Sequence, residues 1–107
     1  MSSIAVWYYF PIIGYNRIDI GDSESDVRAI LGKPIGDTLN VRSLSIGPMP
    51  SIPMGTNFKD LRYDGRNKWM HIWLVSPSDY TNITGEPTTS TDWLVIDKTR
   101  YDKDIIF

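Results

Sequence analysis

The sequence predicts an α+β fold: one short helix packed on a mostly antiparallel sheet of five to six strands. Three features of the chain predict it. Ser23 to Pro34 carries helix start and stop signals at its two ends. Runs of apolar and aromatic residues, separated by turn residues, fill much of the remaining chain. Asp64-Gly65 stands between two such runs, the strongest short-range signal of an antiparallel hairpin.

Ile4 to Phe10 is β-branched and aromatic and reads as a strand, ended by Pro11 and Gly14, with Tyr15 to Ile20 a short extended continuation. The helix runs from Ser23 to Leu31. Ser23 and Asp26 have capping-box spacing, and Glu24 and Asp26 place negative charge at the positive end of the helix dipole. Val27, Ile30 and Leu31 fall on one face, so all are expected to be buried. Gly32 can close the helix in a left-handed conformation, and Pro34 forbids continuation. A helix this short is unstable alone in water and needs a sheet beneath it.

Leu39 to Ile46 reads as a strand whose alternation breaks, which implies a bulge or a bend. Gly47 to Thr56 is a long loop rich in proline. Phe58 to Tyr63 and Lys68 to Val75 form the hairpin. In its second strand Trp69, His71, Trp73 and Val75 share one face, while Met70, Ile72 and Leu74 share the other. Apolar residues on both faces place that strand in mid-sheet. Ser76 to Thr91 reads as a polar loop, Asp92 to Ile96 as a strand, Asp97 to Arg100 as a turn and Tyr101 to Phe107 as a last strand.

The chain has 107 residues and reads as a single globular domain, 1–107. Net charge is −2, with basic and acidic residues interleaved, which argues against nucleic acid as a partner. There is no Cys, hence no thiolate nucleophile and no thiolate metal site. Pro11 interrupts the only apolar run near the start, and no basic residue precedes it. No membrane partner is therefore expected, and a cytoplasmic location is.

No residue group declares a reaction. His71 is the only histidine and sits between Met70 and Ile72 in a strand, a poor setting for a catalytic triad. One His and no Cys leave zinc without a ligand set. Asp97, Asp102 and Asp104 are interleaved with Lys98, Arg100 and Lys103, a mixed solvated edge and not a calcium loop. The chain is thus expected to be no enzyme, with no cofactor, no metal and no small-molecule substrate.

Gly21 to Pro34, GDSESDVRAILGKP, resembles a recurring helix of the form Gly-x-Ser/Thr-x3-Val-x3-Leu-Gly-x-Pro. It looks like the helix of the small lipoprotein of the outer-membrane assembly machine. It is similar to the helix-and-sheet unit of β-lactamase inhibitory proteins and to bacterial toxin-immunity proteins. In those the helix is followed by a strand ending in Tyr-Asp and a turn, and Leu61-Arg62-Tyr63-Asp64-Gly65 stands at that place. The lipoprotein's attachment Cys is missing. The resemblance implies protein binding without catalysis: a cytosolic immunity protein neutralising a bacterial toxin or, alternatively, a scaffold or assembly subunit of a phage or secretion particle.

Candidate partner-binding residues follow from the two irregular segments and the aromatic strand. Met49, Ile52 and Met54 are apolar residues on the proline-rich loop, where they either meet a partner or fold back over an open end of the core. Asp79, Tyr80 and Glu86 put a ring among acids on the second loop, suited to a basic toxin groove. Trp69 and Trp73, flanking His71, are the next choice.

Overall fold

The computed structural model describes residues 13–43, 52–66 and 68–103. Their order is a short helix α1 (13–17), α2 (Glu24–Leu31), β1 (Gly36–Val41), β2 (Asn57–Asp64), β3 (Lys68–Val75), α3 (Pro77–Thr84) and β4 (Leu94–Asp102). The strands form one antiparallel sheet in the order β1-β2-β3-β4. The architecture is a small α+β fold with helices packed on a mostly antiparallel sheet. Among the described residues there are four strands and three helices, not five to six strands and one helix.

The punctuation around α2 forms as its residues dictate. The Ser23 side chain accepts from the Asp26 N–H at 3.1 Å, satisfying one orphan donor of the first turn. Gly32 adopts φ +81 and its N–H returns to the Arg28 carbonyl at 2.8 Å. Val27 is fully buried, whereas Ile30 and Leu31 are only partly buried against the core. The reason is α1. Residues 15 to 17 are helical and not extended, and α1 lies against the end of α2. A Cβ on Gly14 would stand 2.6 Å from Leu31 Cδ2, so the two helices approach too closely there for a larger residue without movement of Leu31.

β3 supplies both faces of the sheet, as its composition predicts. Met70, Ile72 and Leu74 join Ile18, Val27, Leu61, Tyr63 and Val95 in a first core beneath α1 and α2. Trp73 and Val75 join Ile52 and Ile96 in a second core on the other face, where Phe58, Tyr80 and Ile83 pack. Two helical faces are thus served by one central strand. The register of β3 against β4 shifts at Trp73/Leu74, where Leu74 pairs with Val95 and Trp73 with Asp97. Ile96 is the extra residue of this bulge and turns toward the second core.

Other expected boundaries change. Ser76–Thr91 is not all loop, because α3 occupies Pro77–Thr84. Ser76 caps it, Pro77 occupies its first turn, and Gly85 closes it with φ +77. Asp97 to Arg100 is no turn: β4 runs through it to Asp102. Charged side chains are accommodated there because their stems lie along the first face while their tips reach polar atoms. Lys98 Nζ donates to the Tyr15 carbonyl at 2.8 Å, and Lys98 and Arg100 both lie over the Tyr15 ring. Burial pulls the Lys98 ammonium below its ordinary pKa. β1 spans Gly36–Val41, while the remainder of the expected strand at 44–46, the strand at 4–10 and the end of the chain at 104–107 lie outside the described residues.

α2 is fastened to the sheet by charge as well as by Val27. Glu24, buried at the first helical position, pairs with Arg28 at 3.0 Å and with Lys59 of β2 at 2.9 Å. Arg28 continues to Asp37 of β1 at 2.7 Å. Asp92 accepts from both the N–H and the hydroxyl of Ser25, at 3.0 and 2.8 Å. Burial works to raise its carboxyl pKa, but these hydrogen bonds and one from the Trp93 N–H outweigh it and hold the carboxyl low.

Candidate functional site

The period of two along each strand assembles the site. On the face away from α2, β2 places Asp60 and Arg62, β3 places Trp69, His71 and Trp73, and β4 places Thr99 and Tyr101. The pairings Arg62↔His71, Trp69↔Tyr101 and His71↔Thr99 put these side chains in adjoining rows.

His71 sits at the centre. Its Nδ1 lies 2.8 Å from Asp60 Oδ1 and its Nε2 lies 3.0 Å from the Tyr101 hydroxyl. An ionised carboxylate only accepts, so Nδ1 donates to Asp60, and in the neutral ring Nε2 accepts from Tyr101. The ring is stacked on Trp73 and on Tyr101, each with centroids 5.5 Å apart and planes within 17° and 14°. Both nitrogens of His71 are therefore committed, and its ring is held on two sides. Beside it lies a shallow cavity of about 170 Å³, lined by Gly36, Thr38, Asp60, Arg62 and His71.

Trp69 forms the outer end of the row. The Arg62 guanidinium stands 4.9 Å from its ring centre and Lys103 Nζ 4.4 Å. Lys103 is itself placed by Asp64, at 2.6 Å, and that ion pair is the main cause holding the Asp64 carboxyl below its ordinary pKa. Lys68 pairs with Asp102 at 2.5 Å on the neighbouring strands. Two cations thus lie over the half-buried indole at the end of the β2–β3 hairpin.

The residues singled out from sequence are distributed as follows. Trp69 and Trp73 do share this face, but Trp73 is only 5% exposed and belongs to the second core. Ile52 and Tyr80 meet in that same core, so Ile52 folds back over the sheet. Met54 is exposed in the turn before β2, and Met49 lies outside the described residues. Asp79 accepts from the Ser76 hydroxyl at 3.0 Å at the start of α3, and Glu86 is exposed just past its end.

Sequence reading missed Asp60, Arg62, Tyr101 and Lys103. The first two were recoverable only in part: Asp64-Gly65 announces the hairpin, but the register that brings Arg62 opposite His71 comes from a reversal past Gly65, where Arg66 takes φ +74. Tyr101 and Lys103 were not, because the bulge at Ile96 and the unbroken β4 decide where they stand.

Among the described residues no three His, Cys, Asp or Glu side chains are grouped to hold a metal ion, and no helix is long and apolar enough to cross a membrane. What the arrangement offers is a rigid surface of aromatic rings and paired charges. Compared with protein-family models, curated proteins and solved structures, the chain matches none.

Proposed function

We propose that the chain is a non-catalytic, protein-binding inhibitor, most concretely a cytosolic immunity protein that neutralises a bacterial toxin domain. The observation that carries the docking part is Trp69 with Arg62 and Lys103 both lying over its ring. Trp and Arg are the side chains most enriched where binding energy concentrates. A ring already held by two cations loses little rotamer freedom when a partner covers it. The choice of a toxin as partner rests on the likeness of Gly21 to Pro34 and Leu61 to Gly65 to the immunity class. The non-catalytic part rests on the same likeness, which implies protein binding without catalysis.

The test is to look beside this chain's gene for an encoded toxic domain and to express that domain with and without this chain. Cells making that domain are expected to survive when this chain is co-expressed. Trp69→Ala is expected to weaken the measured affinity at least about 25-fold, the size of a central interface residue, with an unchanged far-UV spectrum. Wild-type affinity in Trp69→Ala moves the docking site elsewhere. Absence of protection and of binding by the unaltered chain refutes the immunity reading.

A further inference from the structure

Among the described residues, the two outer strands of the sheet are treated very differently. The first half of β4 is covered by the segment leading into α2. Gly21 N–H donates to the Val95 carbonyl, Val95 N–H to the Asp22 carbonyl and Glu24 N–H to the Trp93 carbonyl, each at 2.8 Å. Its second half carries Asp97, Lys98, Arg100 and Asp102, the charges that natural sheets place on edges to discourage pairing. β1, GDTLNV, has none of these devices. It holds no Lys, Arg or Pro and no bulge, and its one charge, Asp37, is already paired with Arg28.

Its side chains are also on the wrong side of the hydrophobic effect. Leu39 is 63% exposed and Val41 58%, on the face that elsewhere carries the first core. The backbone adds direction. Arg42 N–H donates inward to the Thr56 carbonyl at 2.8 Å, and Arg42 accepts from Gly55. Antiparallel strands alternate, so Thr38 and Asn40 also bond toward β2, while Asp37, Leu39 and Val41 present N–H and C=O outward. The same three residues therefore offer ladder groups and side chains together.

We infer that β1 is a self-association edge, on which a second copy of this chain docks its own β1 antiparallel to make a continuous eight-stranded sheet. The strand is complementary to itself about Leu39. In that register Leu39 faces the second copy's Leu39, and Asp37 faces the second copy's Val41. No like charges stand opposite, and each exposed apolar residue gains a neighbour on the same face. A foreign strand would bring no such match from this chain's own sequence. The contact is small, so the dimer is weak and dependent on concentration.

Sedimentation of the full chain over a concentration series tests this. The weight-average mass is expected to rise toward twice that of one chain, and Leu39→Lys to remain at one. Leu39 is exposed, so this change leaves the fold intact, which circular dichroism verifies. Because the chain has no Cys, Leu39→Cys provides a register test. Directly opposed residues in such pairs lie about 5.5 Å apart at Cα, within disulfide reach. Oxidation is expected to cross-link Leu39→Cys and to leave Thr38→Cys single. A wild-type chain that stays single at its highest soluble concentration overturns the inference. So does a dimer that Leu39→Lys leaves intact, or one that Thr38→Cys cross-links as readily as Leu39→Cys. None of these outcomes bears on Trp69 or on toxin binding.

Discussion

Tyr63 shows how one side chain can tie helix to sheet. Its ring is 4% exposed in the first core, and its hydroxyl donates to the Gly32 carbonyl at 2.9 Å, just past the end of α2. Burial pushes its pKa from 10.0 up to about 12. The raised value means that the folded state favours the neutral phenol. That stabilisation is complete below the unfolded value of 10.0 and is lost as pH rises through about 12. Tyr63→Phe is expected to cost about 0.5–1.5 kcal/mol at neutral pH, since it leaves the Gly32 carbonyl without this donor. It should also remove this tyrosine's part of the alkaline loss. Urea midpoints of both chains, taken at neutral pH and across the alkaline range, check both expectations. Parallel alkaline losses would assign the titration to another group. Nothing near Tyr63 in the chain announces the bond, because its acceptor lies 31 positions away.

α3 is held by its ends and by two side chains that rest on the core. PSDYTNIT is poor in strong helix formers, and none of its residues is fully buried. Ser76 accepts from the Asp79 N–H at 3.3 Å and donates to its carboxylate at 3.0 Å, while Tyr80 and Ile83 rest on the second core. Ser76→Ala is expected to destabilise the protein by about 1 kcal/mol, as loss of a capping hydroxyl does. A lowered urea midpoint is the expected result, and an unchanged one would show α3 to be uncoupled from the rest of the sheet. Ser, Pro, Asp and a terminal Gly were all in place to be read as helix punctuation. The periodicity between them, only Tyr80 and Ile83, is too thin to identify a helix without the second core that receives it.

The two cores share β3, and this joins the faces of the molecule into one cooperative unit. Ile52 closes the second core from the loop side at 5% exposure, beside Trp73 and Val75. Ile52→Ser is expected to cost at least about 2 kcal/mol, because it removes buried methyl groups and leaves a hydroxyl in their place. The melting temperature should fall while tryptophan fluorescence and far-UV ellipticity still change together. Separate transitions in the two signals would mean that the faces melt independently. Partner affinity, measured well below the transition, should stay at the wild-type level, since Ile52 is a lid over the core and Trp69 is the proposed contact.

The parts decided by the sequence alone are those whose signals act over a few residues. Ser23, Gly32 and Pro34 bound α2 through backbone groups within one turn, and Asp64-Gly65 marks a hairpin, whose reversal falls just past Gly65 at Arg66. The run from Met70 to Val75, apolar at every position but His71, places β3 inside the sheet whatever its neighbours are. Tertiary structure alone decided the rest. Asp97 to Arg100 become strand because β3 supplies their ladder partners and Tyr15 receives their cations. Trp73 is buried while Trp69 is only half-buried, although both occupy the same face of one strand, because Ile52 and α3 cover only one end of it. His71 is bound by Asp60 and Tyr101, 11 and 30 positions away. Leu39 and Val41 look like core residues and stand in solvent because β1 is the outer strand among those described and α2 does not reach over it. Hydrophobic burial depends on which elements arrive from elsewhere in the chain, and local propensity holds no information about that arrival.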